Sequence, residues 1–301
     1  ISDAEWPKIL PAFHSPTATG DPARIKPHFS LLDVTEGTVL PPKGMYVVLE
    51  GVVHLRQNGQ EITSADPGDY FYEEHLEIFD IPVSLEAFAL PGTKLAYLSS
   101  TEWFELPEDV RKECFSTLFG DLVAVHMQNF QQPINCCSVT AAALSMSALG
   151  FSCEVNDIFR ECQLPTSYVV NDGISLAELF DVACTYIHKL GLRDVVQVQT
   201  YFMDEAITSP QILADAIDES NRLGGDNDIL VANFQVGVAH GKPTMPGGHF
   251  AIIAKCNPST GLVHMMDVHP EKYGKLWVTT VDRLYAAMSD RDGTSMRARG
   301  L

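Results

Sequence analysis

Four residues have the types and order that thiol-based acyl chemistry requires: Gln131, Cys137, His249 and Asp267. A cysteine attacks a carbonyl as its thiolate, and a helix N-terminus stabilises that thiolate through unpaired N–H groups and the helix dipole. Cys137 opens the run Ser138-Val139-Thr140-Ala141-Ala142-Ala143-Leu144-Ser145-Met146-Ser147-Ala148-Leu149, closed by Gly150. Small and apolar throughout, this run reads as a buried helix with a C-terminal glycine. A histidine must accept the thiol proton, and a carboxylate must orient the histidine. His249 follows Gly247-Gly248 at the start of one expected strand, and Asp267 closes the next, eighteen residues on (267 − 249 = 18). Gln131 lies six positions before the cysteine (137 − 131 = 6), where its amide and the Cys137 backbone N–H would share a developing oxyanion. Each signal is weak alone, since a cysteine in an apolar helix is usually a small core residue. The four in this order are far more restrictive.

These residues need two kinds of scaffold. Residues 1–28 are rich in Pro, Ala and Ser and read as an extended arm or irregular lead-in. From 29 to 120, short β-rich runs such as Met45-Tyr46-Val47-Val48-Leu49-Glu50-Gly51-Val52-Val53 alternate with turn signals at Asn58-Gly59, Pro67-Gly68-Asp69 and Pro91-Gly92-Thr93. That pattern predicts an antiparallel barrel or jelly roll, followed by a helix over about 106–129. From 121 to 301, helices are expected over 155–162, 175–190 and 210–222, then strands over 229–234, 249–255 and 262–267. Helices first and strands after make an α+β domain.

Composition narrows the function further. The formal charge of −19, from 39 acidic and 20 basic residues, repels phosphate backbones and anionic lipids, so neither nucleic acid nor a membrane surface is expected as a partner. No apolar run reaches the roughly 18 residues of a membrane span. Seven cysteines without disulfide-scaffold spacing favour a reducing compartment, and Ile1-Ser2-Asp3-Ala4-Glu5 lacks the character of a signal peptide, so a cytoplasmic protein is expected. A homo-oligomer is compatible with the sequence.

The stretch from Gln131 to Leu149 resembles the nucleophile segment of phytochelatin synthases, in which a Gln precedes by six residues a Cys that begins a small-residue helix ending in Ala-Leu. Counting back from Ala148-Leu149 selects Cys137 over Cys136. Asn171-Asp172-Gly173-Ile174-Ser175-Leu176, Gly247-Gly248-His249-Phe250, Asp267-Val268 and Leu284-Tyr285-Ala286-Ala287-Met288 extend the resemblance in order over about 170 residues. It implies a papain-like catalytic domain preceded by the all-β jelly roll, and a ping-pong transfer through an acyl-enzyme on Cys137 without cofactor or metal. Glutathione is the family's donor. The family usually begins a closing strand where Arg299-Gly300-Leu301 stands here.

Departures from the family pattern bear on the substrate. The family's Val-Ala-Arg-Phe-Lys-Tyr corresponds to Val268-His269-Pro270-Glu271-Lys272-Tyr273, where Pro270 replaces the cation and Glu271 adds a negative charge. Cys136 stands in place of an aromatic and Ser138 in place of a Gly. The expected substrate-contacting positions are Cys136, Ser138, Gly248, Lys272 and Tyr273. The changes favour a specialised acyl donor, as a small-molecule, peptide or carrier-protein-bound substrate, over glutathione. The alternatives are phytochelatin synthesis or glutathione hydrolysis by a cysteine peptidase, and a non-catalytic ligand or metal sensor.

The jelly roll resembles the cyclic-nucleotide-binding domain through Tyr46 to Val53, the turn Pro67-Gly68-Asp69 before Tyr70-Phe71, and Leu95-Ala96-Tyr97-Leu98. In that family a Gly-Glu pair and an Arg hold a phosphate, because a buried phosphodiester needs a bidentate cation. Tyr72-Glu73-Glu74 and Asp80-Ile81-Pro82-Val83-Ser84 stand at those places, so the anion anchor is absent and a structural or protein-docking role is expected. The pair Cys136-Cys137 offers a soft metal only two ligands, and on a strand His264 faces away from Asp267 and His269.

Overall fold

Asn58 and Gly59 both adopt positive φ, 53° and 76°, so that two residues suffice to turn strand β4 (Val53–Gln57) back onto β5 (Gln60–Ala65). This hairpin lies in a computed structural model that describes residues 1–13, 22–76, 85–111, 132–133, 135–203, 205–220, 228–257, 259–293 and 296–301. The chain divides into two compact units, the first comprising Ile1–Asp121 with Asn257–Leu262 and the second Leu122–Cys256 with Val263–Leu301.

The first unit holds two four-stranded sheets. One has the order β1 (Ser30–Val34), β8 (Thr93–Ser99), β3 (Gly44–Glu50), β6 (Tyr70–Phe71); the other β2 (Thr38–Leu40), β7 (Glu86–Ala89), β4, β5. Along β4, buried Val53, Leu55 and Gln57 alternate with half-buried His54 and Arg56, the period-2 pattern of a one-faced strand. β3 is buried on both faces except at Glu50. The first residues are not an extended arm. Helix α1 (Trp6–Ile9) runs into a 3-10 turn over Leu10–Phe13, and Ile9, Ala12 and Phe13 are buried, because edge contacts of Trp6 and Phe13 with Phe29 remove apolar surface from water. Helix α2 (Ser100–Glu105), closed by a capping box between Ser99 and Glu102, was not foreseen. Of the helix expected over 106–129, residues 108–111 are helical and 112–129 lie outside the described residues, as do 80–84, where the phosphate-binding cation was found missing.

The second unit opens with helices α3 (Cys137–Ala148), α4 (Val155–Glu161), α5 (Thr166–Asp172), α6 (Leu176–Lys189) and α7 (Pro210–Glu219). α3 ends as expected: Gly150 takes φ +87° and Phe151 N–H reaches back to Met146 O at 3.0 Å. α6 begins with a capping box between Ser175 and Glu178.

A four-stranded sheet follows, in the order β12 (Leu276–Thr280), β11 (Leu262–Met266), β10 (Gly248–Asn257), β9 (Leu230–Gln235). Short helices α8 (Val236–Ala239) and α9 (Pro270–Tyr273) interrupt it, and α10 (Val281–Ser289) covers it. Phe234, Ala251, Ile253, Val263, Met265, Trp277, Leu284 and Met288 form the core beneath. The architecture is therefore mixed α and β with antiparallel sheets. Three of the four strands match the expected runs; β12 and α5 were not foreseen. Gly300 bridges to both Phe202 and Asn233, so the last residues pair alongside β9. No helix among the described residues is long and apolar enough to cross a membrane.

Candidate active site

The candidate nucleophile, Cys137, is positioned by a tight turn. Asn135 adopts φ +56° and its side-chain amide donates to Val170 O at 2.8 Å. Cys136 then serves as N-cap without a side-chain cap, and Cys137 is the first residue of α3. At that position a side chain faces the first-turn N–H groups, which have no intrahelical acceptor. Cys137 is partly exposed, while Cys136 and Ser138 are each only 1% exposed. Neither flanking side chain therefore presents surface to a substrate, contrary to expectation, because both point into the seat of a helix buried on most sides. Burial also pushes the Cys136 thiol up, which leaves it unreactive beside its neighbour.

His249, second residue of β10, pairs across to Phe234 of β9 and is 4% exposed. Its Nε2 lies 2.9 Å from Asp267 Oδ1, and Cys137 is among the groups that act on the imidazole. Asp267 follows β11 and is 1% exposed, yet fully paired: Oδ1 also accepts from His269 N–H at 2.8 Å, and Oδ2 accepts from Trp277 Nε1 at 2.9 Å. Burial alone would depress His249, but the charge and hydrogen bond of Asp267, with the contact to Cys137, outweigh it and raise the imidazole to about 9. A raised imidazole favours the protonated form, which is the partner that thiol chemistry needs.

Around this core stand residues that the sequence did not single out. Trp277 is legible in retrospect, because a buried indole N–H must find an acceptor and the carboxylate ten positions earlier supplies it. His240 stacks on Tyr273 at 5.4 Å and contacts Trp277 at 4.1 Å; burial takes it down to about 4, so it is neutral. Arg299 is 3% exposed, with Nη1 3.3 Å from Asn233 Oδ1 and 3.4 Å from Asp292 Oδ2. Its guanidinium also fills the space that a side chain at Gly248 would occupy. Nothing in the local sequence pointed to it.

Of the expected substrate positions, Gly248 is exposed, Lys272 is exposed with Nζ 4.9 Å from the Tyr273 ring centre, and Tyr273 packs on the His249 ring at 4.9 Å. Gln131 lies outside the described residues.

A family model described as phytochelatin synthase matches residues 87–301. The chain belongs to the phytochelatin synthase family. Membership assigns it, at the coarse level, cysteine-dependent acyl transfer of the family type. No curated protein matches the chain.

Similar solved structures include the N-terminal domain of a transcriptional regulator from Streptomyces coelicolor A3(2), at 25% identity over 34% of this chain and 78% of that one, TM-score 0.26. A cAMP-bound regulatory subunit of a cAMP-independent protein kinase A from Trypanosoma brucei matches at 14% identity over 43% of this chain and 53% of that one, TM-score 0.29. The Thermus thermophilus catabolite activator protein matches at 19% identity over 63% of this chain and 90% of that one, TM-score 0.30.

Proposed function

We propose that this phytochelatin synthase family member is a papain-like acyltransferase in which Cys137, His249 and Asp267 act together on a specialised biosynthetic donor, a thioester or peptide other than glutathione. The observation that carries the reading is the buried 2.9 Å hydrogen bond between His249 and Asp267, with Cys137 at the start of a helix and among the groups that raise the imidazole. The Cys137 thiolate attacks the donor carbonyl, and the resulting oxyanion is held by the Cys137 backbone N–H together with the Gln131 amide. As the tetrahedral intermediate collapses, the bond to the leaving group breaks and His249 gives that group its proton, leaving a thioester on Cys137. His249, now neutral, takes a proton from an acceptor amine or thiol. The acceptor attacks the thioester, and Cys137 leaves as thiolate. Asp267 holds the imidazole in orientation throughout.

Tyr273 and Lys272 border the site, and Pro270 and Glu271 in place of a cation favour a donor without the glutathione carboxylate. Arg299 supports a second reading, in which the donor carries a carboxylate, as glutathione does, because a buried guanidinium beside the nucleophile would pair with one. The donor is free or carried by a protein, and the compartment is a reducing one, in keeping with free cysteines at the described positions.

Intact mass spectrometry with a panel of acyl thioesters and with glutathione tests the choice. A covalent increment on Cys137 from a thioester, absent in Cys137→Ala and His249→Ala, is expected. An increment from glutathione alone would establish the second reading, and no increment from any donor would end the catalytic one.

A further inference from the structure

Tyr273 occupies a place that a substrate wall does not require. Three imidazoles surround its ring: His249 at 4.9 Å with an interplanar angle of 55°, His240 stacked at 5.4 Å and 20°, and His269 edge-on at 6.0 Å and 78°. His240 is fixed in turn by Trp277, whose indole holds Asp267. The tyrosine ring is thereby clamped at one distance from the catalytic base.

From this geometry we infer that Tyr273 is a positioning residue for His249, its π-face stabilising the imidazolium form through a cation–π contact. The inference rests on the acyl-transfer reading of the site. A ring centre within about 6 Å of a cation is attractive, and more so when water is excluded. His249 meets that condition because it is buried. The other groups that face it are Asp267 at the end of β11, Cys137 on α3, Phe234 on β9 and neutral His240 after α8. Arg299 interacts electrostatically with Cys137, and the exposed Lys272 lies over the Tyr273 ring at 4.9 Å. Phe234 presents its ring to His249 nearly perpendicular, at 88°, which leaves Tyr273 as the tilted aromatic neighbour.

Alkylation of Cys137 by iodoacetamide, followed by peptide mass spectrometry from pH 6 to 11 without acyl substrate, reads the imidazolium directly. The rate at Cys137 changes where its partner loses a proton. Tyr273→Phe keeps the π-face and is expected to leave that transition in place. Tyr273→Leu removes it and is expected to move the transition about one pH unit down. If Tyr273→Leu does not fold, pentafluorophenylalanine at position 273 keeps the shape, reverses the quadrupole and should produce the same downward move.

A transition unmoved by the loss or reversal of the π-face would overturn the inference, as would a Phe variant displaced as far as the Leu variant. A wild-type profile identical to that of His249→Ala would overturn the acyl-transfer reading itself. A residue that only touched substrate would change KM and leave this substrate-free profile untouched.

Discussion

Gly248 and Arg299 are matched by subtraction: a Cβ on Gly248 would lie 2.6 Å from Nη1 of Arg299, so the place of the buried guanidinium depends on the missing side chain. Gly248 has no positive φ, so the requirement is space, not backbone conformation. What was expected to be a substrate contact is, in addition, the floor on which a cation rests.

Gly248→Ala should therefore displace the Arg299 side chain from Asn233 and Asp292. Overpacking of this kind costs about 1–3 kcal/mol. Thermal unfolding should show that loss, and acyl-transfer kcat/KM is expected to fall as Arg299 moves. A double-mutant cycle with Arg299→Ala checks the cause: the two losses should be strongly non-additive, and additive losses would exclude the steric link.

Trp277→Phe keeps the aromatic volume and deletes the donor to Asp267 Oδ2. A buried acceptor left unsatisfied costs about 1–3 kcal/mol. Calorimetry should show a lower Tm, together with a slower turnover as Asp267 loses its restraint. A variant as stable as wild type would mean that another group takes over the carboxylate oxygen.

The raised titration of His249 fixes the sign of one pH effect. Its folded value of about 9 lies above the ordinary 6.5, so the folded state binds the proton more tightly. The stabilisation is complete below about 6.5 and is lost as pH rises through about 9. Denaturant unfolding should accordingly show stability declining across that window, and His249→Gln should flatten the decline. A decline of equal size in the variant would assign it to other groups.

Ser175→Ala removes the N-cap of α6, whose hydroxyl accepts from Glu178 N–H at 3.3 Å. Loss of such a cap costs about 1 kcal/mol. Thermal unfolding should register that loss, and the pH profile of Cys137 alkylation should not move, since α6 contributes no group to the triad. A shifted profile would reveal a coupling between α6 and the site.

The parts of the site that were readable are those whose chemistry coincides with a local pattern. Cys137 was marked by an expected helix start, His249 by a strand start and Asp267 by the end of the next strand, and the structure has elements that begin or end at these places. Arg299 carries no such mark. Its role comes from pairing with Asn233 and Asp292 and from the vacancy at Gly248, relationships that exist only after folding. β12 was not singled out in the sequence; its five buried residues, Leu276–Thr280, pass straight into the helix Val281–Ser289. The first thirteen residues misled in the opposite direction. Their Pro and Ala content implied an arm or an irregular lead-in, and the arm is excluded because Ile9 and Phe13 supply the apolar burial that fixes them.

Cys137 and His249 lie 112 positions apart (249 − 137 = 112), and Arg299 lies a further 50 on (299 − 249 = 50). Ribosomes add about 5–20 residues per second. During synthesis Cys137 emerges seconds before His249, and Arg299 emerges after both. On the proposed acyl-transfer reading, the nascent chain therefore carries its thiol without an activating partner until β10 and β11 have formed. Reactivity would then be timed by the order in which the chain is made.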